Sequence, residues 1–233
     1  MREFLWEGLP QIGISTDAIP PLTKFSQLLL ERNQVMNLTA ITDPREVATL
    51  HLLDSLCLVP LLEGASVVDV GTGGGFPGMP LAIACPSIRF TLLDSLHKRI
   101  RFLSEAAAAL GLTNVICVHG RAEEFGHREE FDTAVSRAVA GLPILCELCL
   151  PLVKVGGCFL AMKSSHSAGE ITAAEAAVKL LGGKIESVTD YTIPTTDVTH
   201  RVVCIRKVSP TPKKYPRRFA QIKKQPLGTQ TVS

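Results

Sequence analysis

The stretch Asp69-Val-Gly-Thr-Gly-Gly-Gly-Phe-Pro77 decides the fold. It follows an apolar segment, residues 66–70, that has the pattern of a β-strand. Glycines let the backbone turn sharply and let a ligand approach the main chain. Asp94 ends the next predicted strand, where a carboxylate can accept hydrogen bonds from both ribose hydroxyls. These features together predict a site for a nucleoside-bearing cofactor; the alternative is a structural turn beside an incidental aspartate.

Strands and helices alternate from Ala65 onward, whereas residues 1–63 have a helical pattern. We predict strands at 66–70, 89–93, 115–118, 133–136 and 158–162, the last after a turn at Gly156-Gly157, and helices at 98–110, 143–152 and 168–181. Such alternation is typical of an α/β fold with a doubly wound, Rossmann-like parallel sheet. Segments 185–193 and 201–208 have no helix between them, so we expect a C-terminal antiparallel hairpin.

The chain of 233 residues is long enough for one large domain, or for one domain with a small appendage. We expect a helical segment at 1–63 packed on the core, a cofactor-binding domain at 64–208, and a basic, proline-containing tail at 209–233 that is extended or partly disordered. Within the first segment, Asp43 and Pro44 predict the start of a helix. Its residues His51, Asp54 and Ser55 share one face, which either docks against the pocket or is solvated.

Composition excludes several classes of protein. Hydrophobic residues make up 46% and charged residues 20%, which rules out wholesale disorder. The absence of a long apolar run and of a signal-peptide pattern predicts a cytoplasmic protein that does not span a membrane. The seven cysteines are expected to be buried free thiols, and Cys146 and Cys149 to pack on a helix rather than bind zinc or act as a redox pair.

The net charge is only +2, but its distribution is uneven. Eight basic residues and no acid lie between Arg206 and Lys224. This distribution suggests an anionic partner, with nucleic acid as the first candidate, although a merely solvated tail has the same composition.

The glycine loop itself distinguishes between cofactors. The sixth position counted from Gly71 is Phe76, so the dinucleotide pattern G-x-G-x-x-G fails, and the P-loop pattern is absent. The run Asp-x-Gly-x-Gly-x-Gly instead resembles the first motif of class I S-adenosylmethionine-dependent methyltransferases. The resemblance implies S-adenosylmethionine as cofactor, S-adenosylhomocysteine as product, and no metal.

Further motifs between residues 33 and 227 point to one family. They are Asn37-Leu-Thr39, His51-Leu-Leu-Asp54-Ser55, the glycine loop, Leu92-Leu-Asp-Ser-Leu-His-Lys-Arg99, Gly120-Arg-Ala-Glu123, Ser136-Arg-Ala138, Ala161-Met-Lys163 and Lys214-Tyr-Pro-Arg217. Together they resemble the bacterial small-subunit rRNA guanine-N7 methyltransferase family, methyltransferase G, formerly called glucose-inhibited division protein B. The resemblance implies methylation at N7 of a guanine in 16S rRNA, guanine 527 in conventional rRNA numbering, either as naked rRNA or within the small ribosomal subunit or its assembly intermediates. Because no exposed heptad or apolar stripe stands out, we expect a monomer.

The resemblance also implies roles for individual residues. The implied cofactor contacts are Gly71, Gly73, Phe76, Asp94, Ser95, Ala122, Glu123 and Arg137. The implied catalytic residues are Arg137, His51 and Asn37. The implied RNA contacts are Lys98, Arg99, Arg121, Lys163, Lys213, Lys214, Arg217 and Arg218. The chain departs from the family in two places: Met162 replaces the usual Leu, and residues 219–222 lack the Gly and Pro of some members.

The residues after the fourth predicted strand agree with this chemistry. Guanine N7 has a lone pair and no proton, so methyl transfer to it needs positioning but no general base. Methyltransferases that act on exocyclic amines typically have [Asn/Asp]-Pro-Pro-[Tyr/Phe] where this chain has Ser136-Arg-Ala138. Two alternatives remain: a cofactor-binding ribosome-assembly or regulatory RNA-binding protein without turnover, and a small-molecule methyltransferase.

Overall fold

The computed structural model describes residues 1–137 and 139–228. Within these residues, seven strands form one sheet in the order β3-β2-β1-β4-β5-β7-β6. The strands are β1 Ser66–Val70, β2 Arg89–Asp94, β3 Val115–His119, β4 Phe131–Arg137, β5 Val153–Ser164, β6 Gly183–Thr192 and β7 Thr199–Lys207. Strands β1 to β5 pair in parallel, and the strand order reverses between β1 and β4. The predicted doubly wound sheet is therefore confirmed.

Helices cover both faces of the sheet and precede it. They are α1 Arg2–Gln11, α2 Ile19–Met36, α3 Pro44–Glu46, α4 Asp54–Leu56, α5 Gly78–Ala84, α6 His97–Leu110, α7 Leu142–Cys149, α8 Ala168–Leu180 and α9 Phe219–Lys224. None of the helices in the described part of the chain combines the length and the apolar character that crossing a membrane requires.

The helix predicted to start at Asp43 forms as three consecutive stretches. The Asp43 carboxylate accepts hydrogen bonds from the backbone N–H groups of Arg45 and Glu46, as the capping pattern predicts. Between α3 and α4 lies a π-helical stretch, Val47–Leu53, which contains His51. π-Helical turns are rare and often occur at functional sites, and no sequence pattern predicted this one.

Apolar side chains form one core on each face of the sheet. On one face, Leu5 of α1 and Phe25 of α2 pack in the same cluster as Met79 of α5 and Leu103 of α6. The N-terminal helices thus share a hydrophobic core with the sheet, although a domain boundary at residue 63 stays a prediction. The other face packs α7 and α8 against the sheet.

The C-terminal hairpin is confirmed, with β7 placed antiparallel between β5 and β6. Two predicted boundaries are wrong. The expected turn at Gly156-Gly157 lies inside β5, which starts at Val153. A Cβ atom on Gly157 would lie 2.3 Å from the carbonyl oxygen of Asp132, so glycine there lets β5 run close to β4. Helix α7 ends at Cys149, before the predicted end at residue 152.

Residues 209–218 form no helix or strand, as expected of an extended tail, but residues 209–228 pack on the fold, so the alternative of partial disorder is wrong for them. Tyr215 and Ile222 are buried against the second core. Arg217 donates from Nε and Nη2 to the carboxylate of Glu147, at 2.8 and 2.6 Å. The Glu147 side chain is fully buried, so its charge needs this partner. The basic composition of the tail therefore concealed a packed segment; residues 229–233 lie outside the described part.

We predict that Arg217→Ala destabilises the fold, because it leaves the buried Glu147 carboxylate without its cationic partner. The expected loss is about 3 kcal/mol in the free energy of unfolding, measured by urea denaturation. Arg218→Ala is the matched control, since Arg218 is exposed, and it should leave stability unchanged. The double variant Glu147→Gln/Arg217→Ala should recover part of the loss. Equal stability of Arg217→Ala and Arg218→Ala would contradict this assignment.

Candidate functional site

A cleft of about 520 Å³ opens at the carboxyl ends of β1, β2 and β4. Ligands of open α/β sheets bind at this position, where the strand order reverses. The residues lining the cleft are Leu38, Thr39, His51, Gly71, Thr72, Gly73, Gly74, Phe76, Asp94, Ser95, Leu96, Arg99, Arg137 and Val139. The cleft thus brings together, from four regions of the chain, most of the residues predicted to bind a cofactor.

The glycine loop forms the floor of the cleft. The backbone N–H groups of Gly71 and Thr72 both donate to the carbonyl oxygen of Leu93, which fixes the start of the loop on β2. Gly73 has a φ of +60°, and a Cβ atom there would meet nothing closer than the carbonyl oxygen of Gly71 at 3.9 Å. A side chain at this position would be strained and would enter the cleft, so glycine leaves room for a ligand against the backbone.

Asp94 connects the loop to the end of β2. Its Oδ2 accepts from the backbone N–H of Gly73 at 2.9 Å and from Arg99 Nη1 at 3.3 Å, and its Oδ1 accepts from the N–H of Leu96 at 2.8 Å. An ionised carboxylate has about four acceptor sites, so Asp94 retains capacity for a hydroxyl donor. The fit of the cleft to a nucleoside rests on this acceptor and on the open space above Gly73.

Asp69 lies beneath the loop and is fully buried. Its Oδ2 accepts from Thr72 Oγ1 at 2.7 Å and from the backbone N–H of Gly78 at 2.8 Å, so it joins the two ends of the loop. Burial raises the pKa of Asp69 to about 6, against the lowering effect of these hydrogen bonds. Its other oxygen, Oδ1, has no hydrogen-bond partner among the described residues.

A second, smaller cavity of about 130 Å³ lies on the β3 side of Asp94. The predicted residues Ser95, Ala122 and Glu123 line it, together with Phe219 from α9. Sequence analysis missed Phe219, because it assigned the tail to RNA rather than to this edge of the sheet. The only signal in the sequence is an aromatic residue within an otherwise basic segment.

Arg137, at the end of β4, lies at the centre of a hydrogen-bonded cluster. Its Nη1 donates to Asp54 Oδ2 at 2.9 Å and to the carbonyl oxygen of Leu50 at 3.1 Å. Its Nη2 lies 3.2 Å from His51 Nδ1, and its guanidinium carbon lies 5.0 Å from the centre of the Phe76 ring. These contacts fix the guanidinium at the edge of the cleft. Its sequence neighbour in the motif, Ala138, lies outside the described residues.

His51 is held as a neutral imidazole. Because Arg137 can only donate, His51 Nδ1 must accept, and Nε2–H then donates to Thr39 Oγ1 at 2.7 Å. The ring stacks on Phe76 with 4.3 Å between the centroids. Burial and the positive charge of Arg137 lower the pKa of His51 to about 4.

Asp54 connects this cluster to the C-terminal hairpin. Its Oδ1 accepts from Tyr191 Oη at 2.9 Å and from His200 Nδ1 at 2.8 Å, from β6 and β7 respectively. Burial raises the pKa of Asp54, but the hydrogen bond from His200 and the charge of Arg137 outweigh it and keep that pKa below its usual value. Since His51, Asp54 and Ser55 are all buried, the alternative of a solvated face is wrong.

Asn37 is exposed at the end of α2, where it has a φ of +49°, and it does not line the cleft. The turn after it is held instead by Asn33, whose Oδ1 accepts from the backbone N–H groups of Leu38 and Thr39 at 2.6 and 2.9 Å. Those two residues line the cleft. Asn33 was not predicted, because its contacts are local and could equally describe an ordinary helix end.

Several of the residues expected to contact RNA have partners inside the fold. Arg99 pairs with Asp94, and Arg121 Nη1 lies 3.8 Å from Glu123 Oε1, but Lys163 and Arg217 are held by closer contacts. Lys163 Nζ donates to the carbonyl oxygen of Ala140 at 2.7 Å and to Glu170 Oε2 at 2.8 Å, and Arg217 pairs with Glu147. Their charges therefore stabilise the structure and are not free for phosphate, which corrects the prediction for both. Of the others, Arg99 is partly buried at the cleft, whereas Lys98, Arg121, Lys213, Lys214 and Arg218 are exposed.

We predict that the buried neutral state of His51 makes stability fall in mild acid. Below pH about 6.5 the unfolded chain protonates this side chain, whereas the folded chain resists protonation down to about pH 4. Between pH 7 and 4.5 the wild type should therefore lose about 2 kcal/mol more unfolding free energy than His51→Gln. Asp69 acts in the opposite direction in this range but is common to both proteins. Parallel pH profiles in urea denaturation would contradict the prediction.

Comparisons with known proteins agree with the geometry. A family model described as rRNA small subunit methyltransferase G matches residues 18–199. The chain is 47% identical to ribosomal RNA small subunit methyltransferase G of Alkaliphilus oremlandii and 45% identical to that of Alkaliphilus metalliredigens, over 97% of this chain and 99% and 98% of those proteins.

Solved structures show the likeness in fold. An S-adenosylmethionine-dependent O-methyltransferase from Thermotoga maritima aligns with a TM-score of 0.51 at 18% identity, covering 79% of this chain and 73% of that chain. A methyltransferase from Aquifex aeolicus aligns with a TM-score of 0.52 at 17% identity, covering 70% and 93%. The predicted class I methyltransferase fold is confirmed, and the chain belongs to the rRNA small subunit methyltransferase G family.

Proposed function

We propose that this protein transfers a methyl group from S-adenosylmethionine to N7 of a guanine in the 16S rRNA of the small ribosomal subunit. The observation that carries the proposal is the fixed Arg137 guanidinium beside a glycine-lined cleft, in a chain that belongs to this family. The monomeric state stays a prediction.

The residues of the cleft fit the cofactor in distinct ways. The backbone at Gly71 and Gly73 allows close approach, and Asp94 is the acceptor for the ribose hydroxyls. Ser95, Ala122 and Glu123 line the smaller cavity, which would take the adenine. S-Adenosylmethionine, when bound, supplies a methyl group on a positively charged sulfur.

The acceptor atom explains why the cluster contains no free base. Guanine N7 carries a lone pair and no proton, so no group has to remove one. The His51 lone pair on Nδ1 is directed to Arg137, and Asp54 is held by charge-assisted hydrogen bonds from Arg137 and His200, which is consistent with catalysis by positioning alone.

Arg137 has donors left for the substrate. A guanidinium has five N–H groups, and three of them are used for Leu50, Asp54 and His51. The remaining two can bind guanine O6, which lies beside N7 on the same edge of the base. Arg137 would thereby orient N7 without taking part in proton transfer.

The RNA backbone needs positive charge at the mouth of the cleft. Lys98 and Arg121 are exposed close to it, and Lys213, Lys214 and Arg218 are exposed on the C-terminal segment. We assign phosphate contacts to these five residues, which would make RNA affinity fall as salt rises but would add little sequence preference.

The test is methyl transfer from labelled S-adenosylmethionine to undermodified small subunits and to naked 16S rRNA, followed by identification of the labelled nucleoside. We expect 7-methylguanosine at a single site. Label on another nucleoside would reject the proposed acceptor atom. No label despite measurable cofactor binding would favour an RNA-binding assembly protein without turnover.

Arg137→Ala should lower turnover by about 100-fold to 1,000-fold, the usual effect of removing a fixed donor from an active site, with a much smaller effect on S-adenosylhomocysteine affinity. Arg137→Lys keeps the positive charge but loses the planar, two-pronged arrangement of N–H donors. It should therefore restore the stability lost in Arg137→Ala more fully than it restores turnover. Arg101→Ala is the control, because Arg101 is exposed on α6. Turnover is measured on small subunits and affinity by calorimetry; normal turnover of Arg137→Ala would remove Arg137 from the site.

A further inference from the structure

A third cavity, of about 550 Å³, lies on the hairpin side of Arg137. We call it the hairpin cavity. Its lining residues are Ile41, Leu50, His51, Asp54, Arg137, Met162, Lys163, Ser164, Val198 and His200. They come from the N-terminal segment, from the ends of β4 and β5, and from the hairpin. Sequence analysis gave roles to His51, Arg137 and Lys163 but did not predict that they line a common cavity.

The hairpin cavity adjoins the cofactor cleft. His51 and Arg137 line both spaces, so a molecule in either one contacts the same two side chains. Two reacting molecules must bring their atoms to about 3–3.5 Å from each other. A cavity that shares a boundary with the cleft meets this requirement for the acceptor of a methyl group.

The charges around the hairpin cavity are already paired with each other. Asp54 accepts from Arg137, Tyr191 and His200, and Lys163 is bound to Glu170 and a carbonyl oxygen. Much of the remaining lining is apolar: Ile41, Leu50, Met162 and Val198. A space with compensated charges and apolar walls suits a flat, uncharged ring better than a phosphate group.

One lining residue adds a polar contact for such a ring. His200 Nδ1 is used for Asp54, which leaves Nε2 as the ring nitrogen that can bind a ligand. Together with the two remaining N–H groups of Arg137, the cavity can therefore bind a heteroaromatic base from two sides.

We propose that the hairpin cavity receives the acceptor guanine, rotated out of the folded rRNA. This rests on the function proposed above. In an RNA helix, N7 faces the deep, narrow major groove, and enzymes that modify a base usually extrude it into a pocket. With O6 at Arg137, N7 lies at the boundary with the cofactor cleft, and the apolar walls contact the faces of the purine.

The test partly fills the cavity with a larger side chain at Val198, one of its lining residues. Val198 lies between β6 and β7, is 38% exposed, and is bound to its neighbours through its backbone, so a larger side chain is compatible with the turn. Val198→Trp should lower methyl transfer to small subunits by about 100-fold or more, with S-adenosylhomocysteine affinity unchanged. Val188→Trp is the matched control: Val188 is 42% exposed on β6 and lies outside the cavity lining, so this variant should behave as wild type.

A crosslink on the unaltered protein makes the test independent of folding. Undermodified small subunits that contain 6-thioguanosine are bound with S-adenosylhomocysteine and irradiated, and the crosslinked peptide is identified. Because the sulfur replaces O6, which the proposal places at Arg137, we expect crosslinked peptides that contain Arg137 or Leu50, whose carbonyl oxygen Arg137 contacts. Crosslinks only elsewhere, or normal turnover of Val198→Trp, would overturn the proposal. If wild type makes no 7-methylguanosine, the proposed function fails instead, and the two failures are thus distinguished.

Discussion

The candidate site depends on one buried carboxylate, that of Asp54. Its side chain is 1% exposed and accepts hydrogen bonds from Arg137 of β4, Tyr191 of β6 and His200 of β7. A buried charge is tolerated only when partners satisfy it, and here the partners come from distant parts of the chain. The same contacts that stabilise Asp54 therefore fix the helical segment and the hairpin relative to the end of β4. Arg137 is rigid because the fold needs it as a counter-charge.

The fixed Arg137 side chain separates two parts of the site that are formed by different regions of the chain. The parallel strands and the glycine loop form the cofactor cleft, at the position that any doubly wound sheet offers to a ligand. The π-helical stretch Val47–Leu53 and the hairpin supply the walls on the other side of Arg137. Solved methyltransferase structures that align at 17–18% identity cover 70–79% of this chain and share the fold alone. A shared fold does not determine the acceptor, so specificity for it must come from particular side chains around the cleft, and those that line the hairpin cavity are candidates.

The sequence sufficed for those features that depend on local pattern. Strands β1 to β4 start or end within two residues of the predicted bounds, since apolar runs bounded by glycine or a charge define buried strands. The pairing of Asp54 with Arg137, Tyr191 and His200 could not be predicted, because it joins residues 83 to 146 positions apart. Helical spacing placed His51, Asp54 and Ser55 on one polar face, and a polar face is usually solvated. Only the tertiary contacts show that this one is buried.

The C-terminal segment shows why a count of charges overstates RNA binding. Arg206 is bound to Glu63 and Glu186, Lys207 is fully buried with its Nζ on the carbonyl oxygen of Leu150, and Arg217 is paired with Glu147. The logarithm of RNA affinity falls with the logarithm of salt concentration, and each phosphate that the protein neutralises steepens this fall by about 0.7–0.9. Only Lys and Arg side chains that are not already paired within the protein contribute to it. The five basic residues that stay exposed are Lys213, Lys214, Arg218, Lys223 and Lys224. Only Phe219 of this segment lines the smaller cavity, whereas Thr211 and Tyr215 contact Arg128 just before β4, so the exposed charges spread along the segment between the two edges of the sheet.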